Sequence, residues 1–142
     1  MRHLLVISVL LLSGCATTPT PVGEAKLVPQ ERVYFKSAPS IPSAARAIFI
    51  RDQGFLGGGV YQHLFINGER AASIDVGETL ELLLNPGEYI FGVQPTDPFG
   101  THALYSIDQQ LQGGRLYYYR ILIDGNSFQS RIQRFSPEGE KP

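Results

Sequence analysis

Two β-forming runs are separated by nothing more than Asn67-Gly68, and no other feature of the chain restricts its fold as strongly. Both turn residues tolerate positive φ, which a two-residue hairpin loop demands, so Val60 to Ile66 and Glu69 to Val76 are predicted to pair as antiparallel strands. The same punctuation recurs along the chain. Arg46 to Arg51 holds the run Ile48-Phe49-Ile50 and stops before Gly54 and the cluster Gly57-Gly58-Gly59. Glu78 to Leu84 and Glu88 to Gln94 flank Asn85-Pro86-Gly87. In the second of these, Tyr89, Phe91 and Val93 share one face, the spacing of a half-buried strand. Ala103 to Leu111, Arg115 to Ile123 and the alternation from Phe128 to Gln133 complete the series, divided by Gly113-Gly114 and Asp124-Gly125. Sustained helical periodicity is absent; the nearest candidate is the short Ser43-Ala44-Ala45-Arg46. Strands at about 8–12 residue spacing with glycine-rich turns predict an all-β chain. The expected form is a single small antiparallel β-sandwich, immunoglobulin- or transthyretin-like, or a barrel-like closure of the same strands. With 142 residues, 43% of them hydrophobic, the chain can fill one modest core.

The first residues follow different rules. Arg2 supplies a positive start, and Leu4 to Leu12 form an apolar run interrupted only by Ser8. That length suits a signal-peptide core and is too short to span a bilayer. It ends in Leu12-Ser13-Gly14-Cys15, where small residues let the backbone lie extended in a peptidase groove. This segment resembles the lipobox of bacterial lipoproteins, with Leu12, Ser13 and Gly14 as the signal-peptidase recognition residues. The resemblance implies that Cys15 carries a thioether-linked diacylglycerol, that residues 1–14 are removed, and that the new amine is acylated. Two or more acyl chains anchor a protein stably where one is marginal. Ala16, where an aspartate would favour inner-membrane retention in Gram-negative lipoproteins, points to the periplasmic face of the outer membrane.

Residues 15–31 read as the lipidated cysteine followed by a flexible tether. Pro19, Pro21 and Pro29 and the threonines 17, 18 and 20 give it little apolar bulk, so it is not expected to bury a core of its own. The sandwich is expected over 32–136 and a disordered tail over 137–142. Removing residues 1–14 takes only Arg2 from the 12 basic side chains, which face 13 acidic ones. The mature surface is mildly acidic, which speaks against nucleic acid and offers no polybasic patch to anionic lipid. A single cysteine excludes an internal disulfide framework and a thiolate-cage metal site, and no cofactor is expected.

One stretch is more specific. Arg51-Asp52-Gln53-Gly54-Phe55 closes a strand, Phe65-Ile66-Asn67-Gly68 closes another, and Gly77-Glu78 and Pro86-Gly87-Glu88 follow. Over residues 45–95 this pattern resembles the DUF2846-type family of bacterial lipoproteins. The resemblance implies a small extracytoplasmic β-sandwich and brings no reaction with it.

Candidate chemistry is sparse. His63 lies inside a strand, on one face with Tyr61 and Phe65, and reads as a sheet histidine. Asp97, His102 and Asp108 would have to converge to make a base with an orienting carboxylate, and nothing in their spacing enforces it. Gly57-Gly58-Gly59 lacks the following Lys-Ser/Thr and the strand-to-helix context of a phosphate loop. No metal-ligand spacing is present, since His63 and His102 stand alone. Interaction residues are therefore sought among exposed apolar groups. Phe55 and Leu56 sit in a glycine-rich loop, and Tyr117-Tyr118-Tyr119 must place aromatic surface on both sides of a sheet, which makes Tyr117 and Tyr119 further candidates. The expected role is non-catalytic: a lipid-anchored envelope lipoprotein that binds or scaffolds an unknown ligand. An accessory component of an envelope or secretion assembly, with an envelope protein partner, is the alternative, and an envelope hydrolase the third.

Overall fold

The computed structural model describes residues 17–37, 42–54 and 58–137. Within them the backbone forms nine strands and one 3₁₀ turn, Gln30–Arg32. The strands are β1 (Lys26–Leu27), β2 (Ala45–Arg51), β3 (Gln62–Ile66), β4 (Glu69–Ile74), β5 (Glu78–Leu84), β6 (Gly87–Pro95), β7 (Tyr105–Leu111), β8 (Leu116–Ile123) and β9 (Ser130–Phe135). They make a five-stranded sheet ordered β1-β5-β2-β8-β9 and a four-stranded sheet ordered β4-β3-β6-β7. The sheets pack face to face as a small sandwich, as expected for an all-β chain. The barrel-like alternative is corrected, because each sheet keeps its own edge strands. Among the described residues no helix is long and apolar enough to cross a membrane.

Alternation along the strands explains the core. β2 turns Ala45, Ala47 and Phe49 inward, β3 turns Leu64 and Ile66, β6 turns Phe91 and Val93, and all are buried. The small alanines of β2 leave room beside them for rings from both sheets. Phe49, Phe91 and Tyr119 meet with centroids 5.0 to 5.1 Å apart, two contacts edge-on and one stacked. The Asn67-Gly68 hairpin forms as predicted, with φ of 50° and 83°, the paired left-handed conformations of the tightest hairpin turn. Asn67 Oδ1 also accepts the Ile90 N–H at 2.9 Å, tying the turn to β6. At Gly113 the constraint is space: a Cβ there would sit 2.5 Å from the Ser43 carbonyl oxygen.

Pairing is not purely antiparallel. β2 and β8 run parallel through six registered pairs, Arg46↔Leu116 to Arg51↔Ile121. β1 and β5 are also parallel. Both parallel partners are distant in sequence, so no turn signal announces them.

The expected flexible tether is the larger correction. Described residues from Thr17 onward are laced onto the sandwich. Thr17 Oγ1 donates to the Ile123 carbonyl at 2.9 Å, and Thr18 and Gln53 exchange main-chain hydrogen bonds of 2.7 and 3.0 Å. Thr20 is fully buried; its N–H donates to Asp52 Oδ1 at 3.1 Å and its hydroxyl to the Arg51 carbonyl at 3.0 Å. β1 then pairs with β5, and Val33 bridges to Ala72 of β4. The segment therefore stitches an edge of one sheet to an edge of the other. Low apolar content does not prevent this, because the attachment is made by main-chain and hydroxyl hydrogen bonds rather than by a core. Prolines are tolerated at such an edge, where a missing N–H interrupts no ladder.

Asp52 and Arg120 lie where this segment crosses β2 and β8. Both are buried, and the Arg120 guanidinium donates directly to Asp52 Oδ1. Burial pushes the Asp52 carboxyl above its ordinary value, against the downward pull of the Thr20 N–H and Arg120. The part of the expected tail at 138–142 lies outside the described residues.

Candidate functional site

The outer face of the four-stranded sheet carries the most developed polar cluster. In it, Ser73 of β4, His63 of β3 and Gln94 of β6 stand in one row, because His63 pairs with Ser73 on one side and Gln94 on the other. A β-bulge makes that row. From the Asn67-Gly68 turn the register starts as Ile66↔Glu69 and Phe65↔Arg70, then jumps to Leu64↔Ala72, leaving Ala71 as the extra residue. Without it His63 would face Ala72. The Ala71 carbonyl accepts the N–H groups of Tyr34 and Phe35 at 2.8 and 3.0 Å, so the same bulge anchors the incoming N-terminal segment.

Around this row lies a recess of about 690 Å³, whose polar lining includes Arg32, Tyr34, Tyr61, Arg70 and Thr96. His63 Nδ1 is 2.9 Å from Ser73 Oγ, and Nε2 is 3.1 Å from Thr96 Oγ1. Tyr34 and Tyr61 keep 51% and 41% of their surface exposed. Arg32 sits 4.8 Å over the Tyr61 ring and is fixed by two hydrogen bonds to Glu78, at 2.6 and 2.9 Å, and one to the Ser73 carbonyl at 3.0 Å. Arg70 has no carboxylate partner among the described residues and is exposed. Its charge is therefore available to an anionic group, held to the rim by strand pairing at Phe65↔Arg70.

Burial, followed by the nearby Arg70 charge, lowers the pKa of His63 below its ordinary 6.5. Because the folded value is the lower one, the unfolded chain binds the proton more readily. The contribution of this group to stability is complete above 6.5 and is lost as pH falls through the folded value. Arg70→Ala is expected to raise the His63 pKa without restoring it, since burial remains; titration of the imidazole Cε1–H signal by NMR reads this directly. An unmoved midpoint would place Arg70 electrostatically outside the recess.

The Asp97, His102 and Asp108 grouping is made only in part. Asp97 and His102 meet at 2.8 Å, but Asp108 stands opposite Ile90 on β7 and lines a different recess with Asn67 and Glu88. The convergence of three residues that a hydrolase would need is therefore not made. Asp97 is turned into its own loop, where it accepts the N–H groups of Phe99 (2.9 Å), His102 (2.8 Å) and Thr101 and the Thr101 hydroxyl (2.8 Å). The His102 bond foremost, opposed by burial and reinforced by these donors, holds its carboxyl far below the usual range. This is the chemistry of a pinned turn.

Tyr117 and Tyr119 are corrected as interaction residues. Both point inward and are buried; the Tyr117 hydroxyl accepts the Gln112 N–H at 2.8 Å and the Tyr119 hydroxyl donates to Gln109 at 3.0 Å. Burial pushes the Tyr119 phenol up to about 12. Tyr118 takes the outer face, with its ring 5.8 Å from Phe135. Phe55, Leu56, Leu12, Ser13, Gly14 and Cys15 lie outside the described residues. No group of three or more metal-ligating side chains occurs among the described residues.

Sequence reading missed Arg32, Tyr34, Arg70 and Ser73. Arg70 was within reach, since the Asn67-Gly68 turn fixes its place opposite Phe65. Ser73 was not, because the bulge that brings it to His63 has no composition signal, and Arg32 and Tyr34 lay beside a segment that resembled a linker. No protein-family model matches the chain, and no curated protein matches it.

Proposed function

We propose that this chain is a lipid-anchored periplasmic lipoprotein that works by binding, and that the recess around His63 is its ligand site. The exposed aromatic side chains of Tyr34 and Tyr61 suit sugar rings, and Arg70 suits a carboxylate. The class of ligand these groups favour together is an acidic envelope glycan such as peptidoglycan. Recognition is favoured over hydrolysis by one observation above all. Both ring nitrogens of His63 are within hydrogen-bonding distance of hydroxyls, Ser73 Oγ and Thr96 Oγ1, and among the described residues no carboxylate bonds the ring to orient it as a base.

The test uses purified peptidoglycan sacculi and the full chain. Sedimentation with sacculi is expected to fall about tenfold in Arg70→Glu and Tyr61→Ala, each of which alters only an exposed side chain. Equal sedimentation of all three proteins would overturn the recess as the site. A crosslinking pull-down from membranes, comparing the native chain with Cys15→Ser, separates the alternative. A specific protein lost from the unanchored form, with no sacculus binding, would favour a component of an envelope assembly.

A further inference from the structure

The N-terminal attachment fixes which end of the sandwich faces the membrane. Thr17 is held at the Ile123 carbonyl, at the finish of β8, and Thr18 at Gln53, just beyond β2. Only two residue steps separate Thr17 from Cys15, at most about 7 Å of chain. If Cys15 is acylated, as the proposed function holds, the end of the sandwich where β2 and β8 finish lies against the lipid headgroups. The reach of a fifteen-residue tether is not present.

That end is built unlike the other. Arg51 Nη1 donates to the carbonyls of Val60 and Ile74, and Thr96 N–H to Tyr61, so the start of β3 and the finishes of β4 and β6 share it. Its turns expose Val60 and Val76, each 37%, Phe128, 61%, and Phe99, 87%. Two aspartates pin the aromatic turns. Asp97 does so around Phe99, while Asp124 Oδ1 accepts Asn126 N–H, Ser127 N–H and the Ser127 hydroxyl at 2.7 to 3.0 Å beside Phe128. Phe128 itself is held at a φ of 55°, a conformation a phenylalanine rarely adopts. These carboxylates are folded into their own turns instead of facing the bilayer. At the opposite end the turns Asn67-Gly68, Asn85-Pro86 and Gln112-Gly114 carry no large apolar side chain.

We propose that this end is a membrane-docking surface, with Phe99 and Phe128 seated at the boundary between phospholipid headgroups and acyl chains. Apolar side chains on turns at the same end of the sandwich as the chain's entry at Thr17 gain by leaving water for that boundary. The mildly acidic surface makes the contact independent of anionic lipid. The recess around His63 borders this end, because Asp97, Pro98 and Gly100 of the Phe99 loop line it.

The chain contains no tryptophan, so a single introduced indole reports alone. Phe99→Trp, Phe128→Trp and, at the far end, Asn85→Trp are made in the full chain, isolated from membranes and placed in phosphatidylcholine vesicles with or without brominated acyl chains. Expected is at least about twofold quenching by bromine at positions 99 and 128, with a blue-shifted emission, and almost none at position 85. Equally weak quenching at all three, in acylated protein that floats with the vesicles, would overturn the docking surface and leave the anchoring intact. Indoles at 99 and 128 that resist acrylamide but escape bromine would overturn it in favour of a protein contact. If the mass of the Cys15 peptide shows no acyl group and the chain does not float, the anchoring and the docking surface fall together.

Discussion

Asp52→Ala is expected to lower the unfolding free energy by about 3–5 kcal/mol, the range for removing one member of a buried ion pair. The substitution withdraws the carboxylate facing the buried Arg120 guanidinium and the acceptor of the buried Thr20 N–H. Asp52→Asn keeps an oxygen for Thr20 and gives up only the charge, so its loss is smaller. Urea unfolding followed by tyrosine fluorescence measures both, and amide exchange at Thr18 and Thr20 measures whether the N-terminal segment loosens first. A loss under 1 kcal/mol for the alanine variant would mean that water satisfies the pair in solution. Because this pair sits between the N-terminal segment and strands β2 and β8, its removal weakens the joint that holds Thr17 to Thr20 on the sandwich.

Phe49→Ala is expected to cost about 3–5 kcal/mol for a different reason, the cavity left when a central ring is removed. Phe49 has no exposure and touches Phe91 edge-on and Tyr119 in a stack, both with centroids 5.1 Å away. β-Strand backbones on both sides prevent the space from closing. Tyr118→Ala, one strand over and on the outer face, is expected to cost about 1 kcal/mol or less, because its ring is already partly in water. Unfolding curves of the two variants side by side test the assignment of faces. Similar losses would mean that the tyrosine run had been placed on the wrong sides of its sheet.

Local signals made most of the strands legible. Glu78 to Leu84 was bounded to the residue, and Asn67-Gly68 set its hairpin, because a two-residue turn leaves one geometry open to the chain. Long-range pairing was not legible in the same way. Nothing in Arg46 to Arg51 says that it will lie parallel to Leu116 to Ile121, since alternation fixes which side chains face inward and not which strand lies alongside. For Tyr117 to Tyr119, alternation gave the two faces correctly and left open which was the core. The threonine- and proline-rich start misled because composition measures the capacity to bury apolar area, and this segment is attached by hydrogen bonds. The recess was hidden twice over, by that segment and by the single extra residue, Ala71, that moves Ser73 opposite His63.

The stitched N-terminal segment also has a mechanical meaning. Under the proposed anchoring, any pull between the membrane and a ligand held in the recess enters the domain through residue 17. The bonds at Thr17 and Thr18 take the load first, then those at Thr20, then the β1 contacts at Lys26 and Val28, each group released before the next is strained. Peeling as far as Val33 would pay out about 55 Å of extended chain while the two sheets stay closed. The segment thus gives the anchor two lengths, a short one at rest and a long one under tension, and separates the stretching of the molecule from its unfolding.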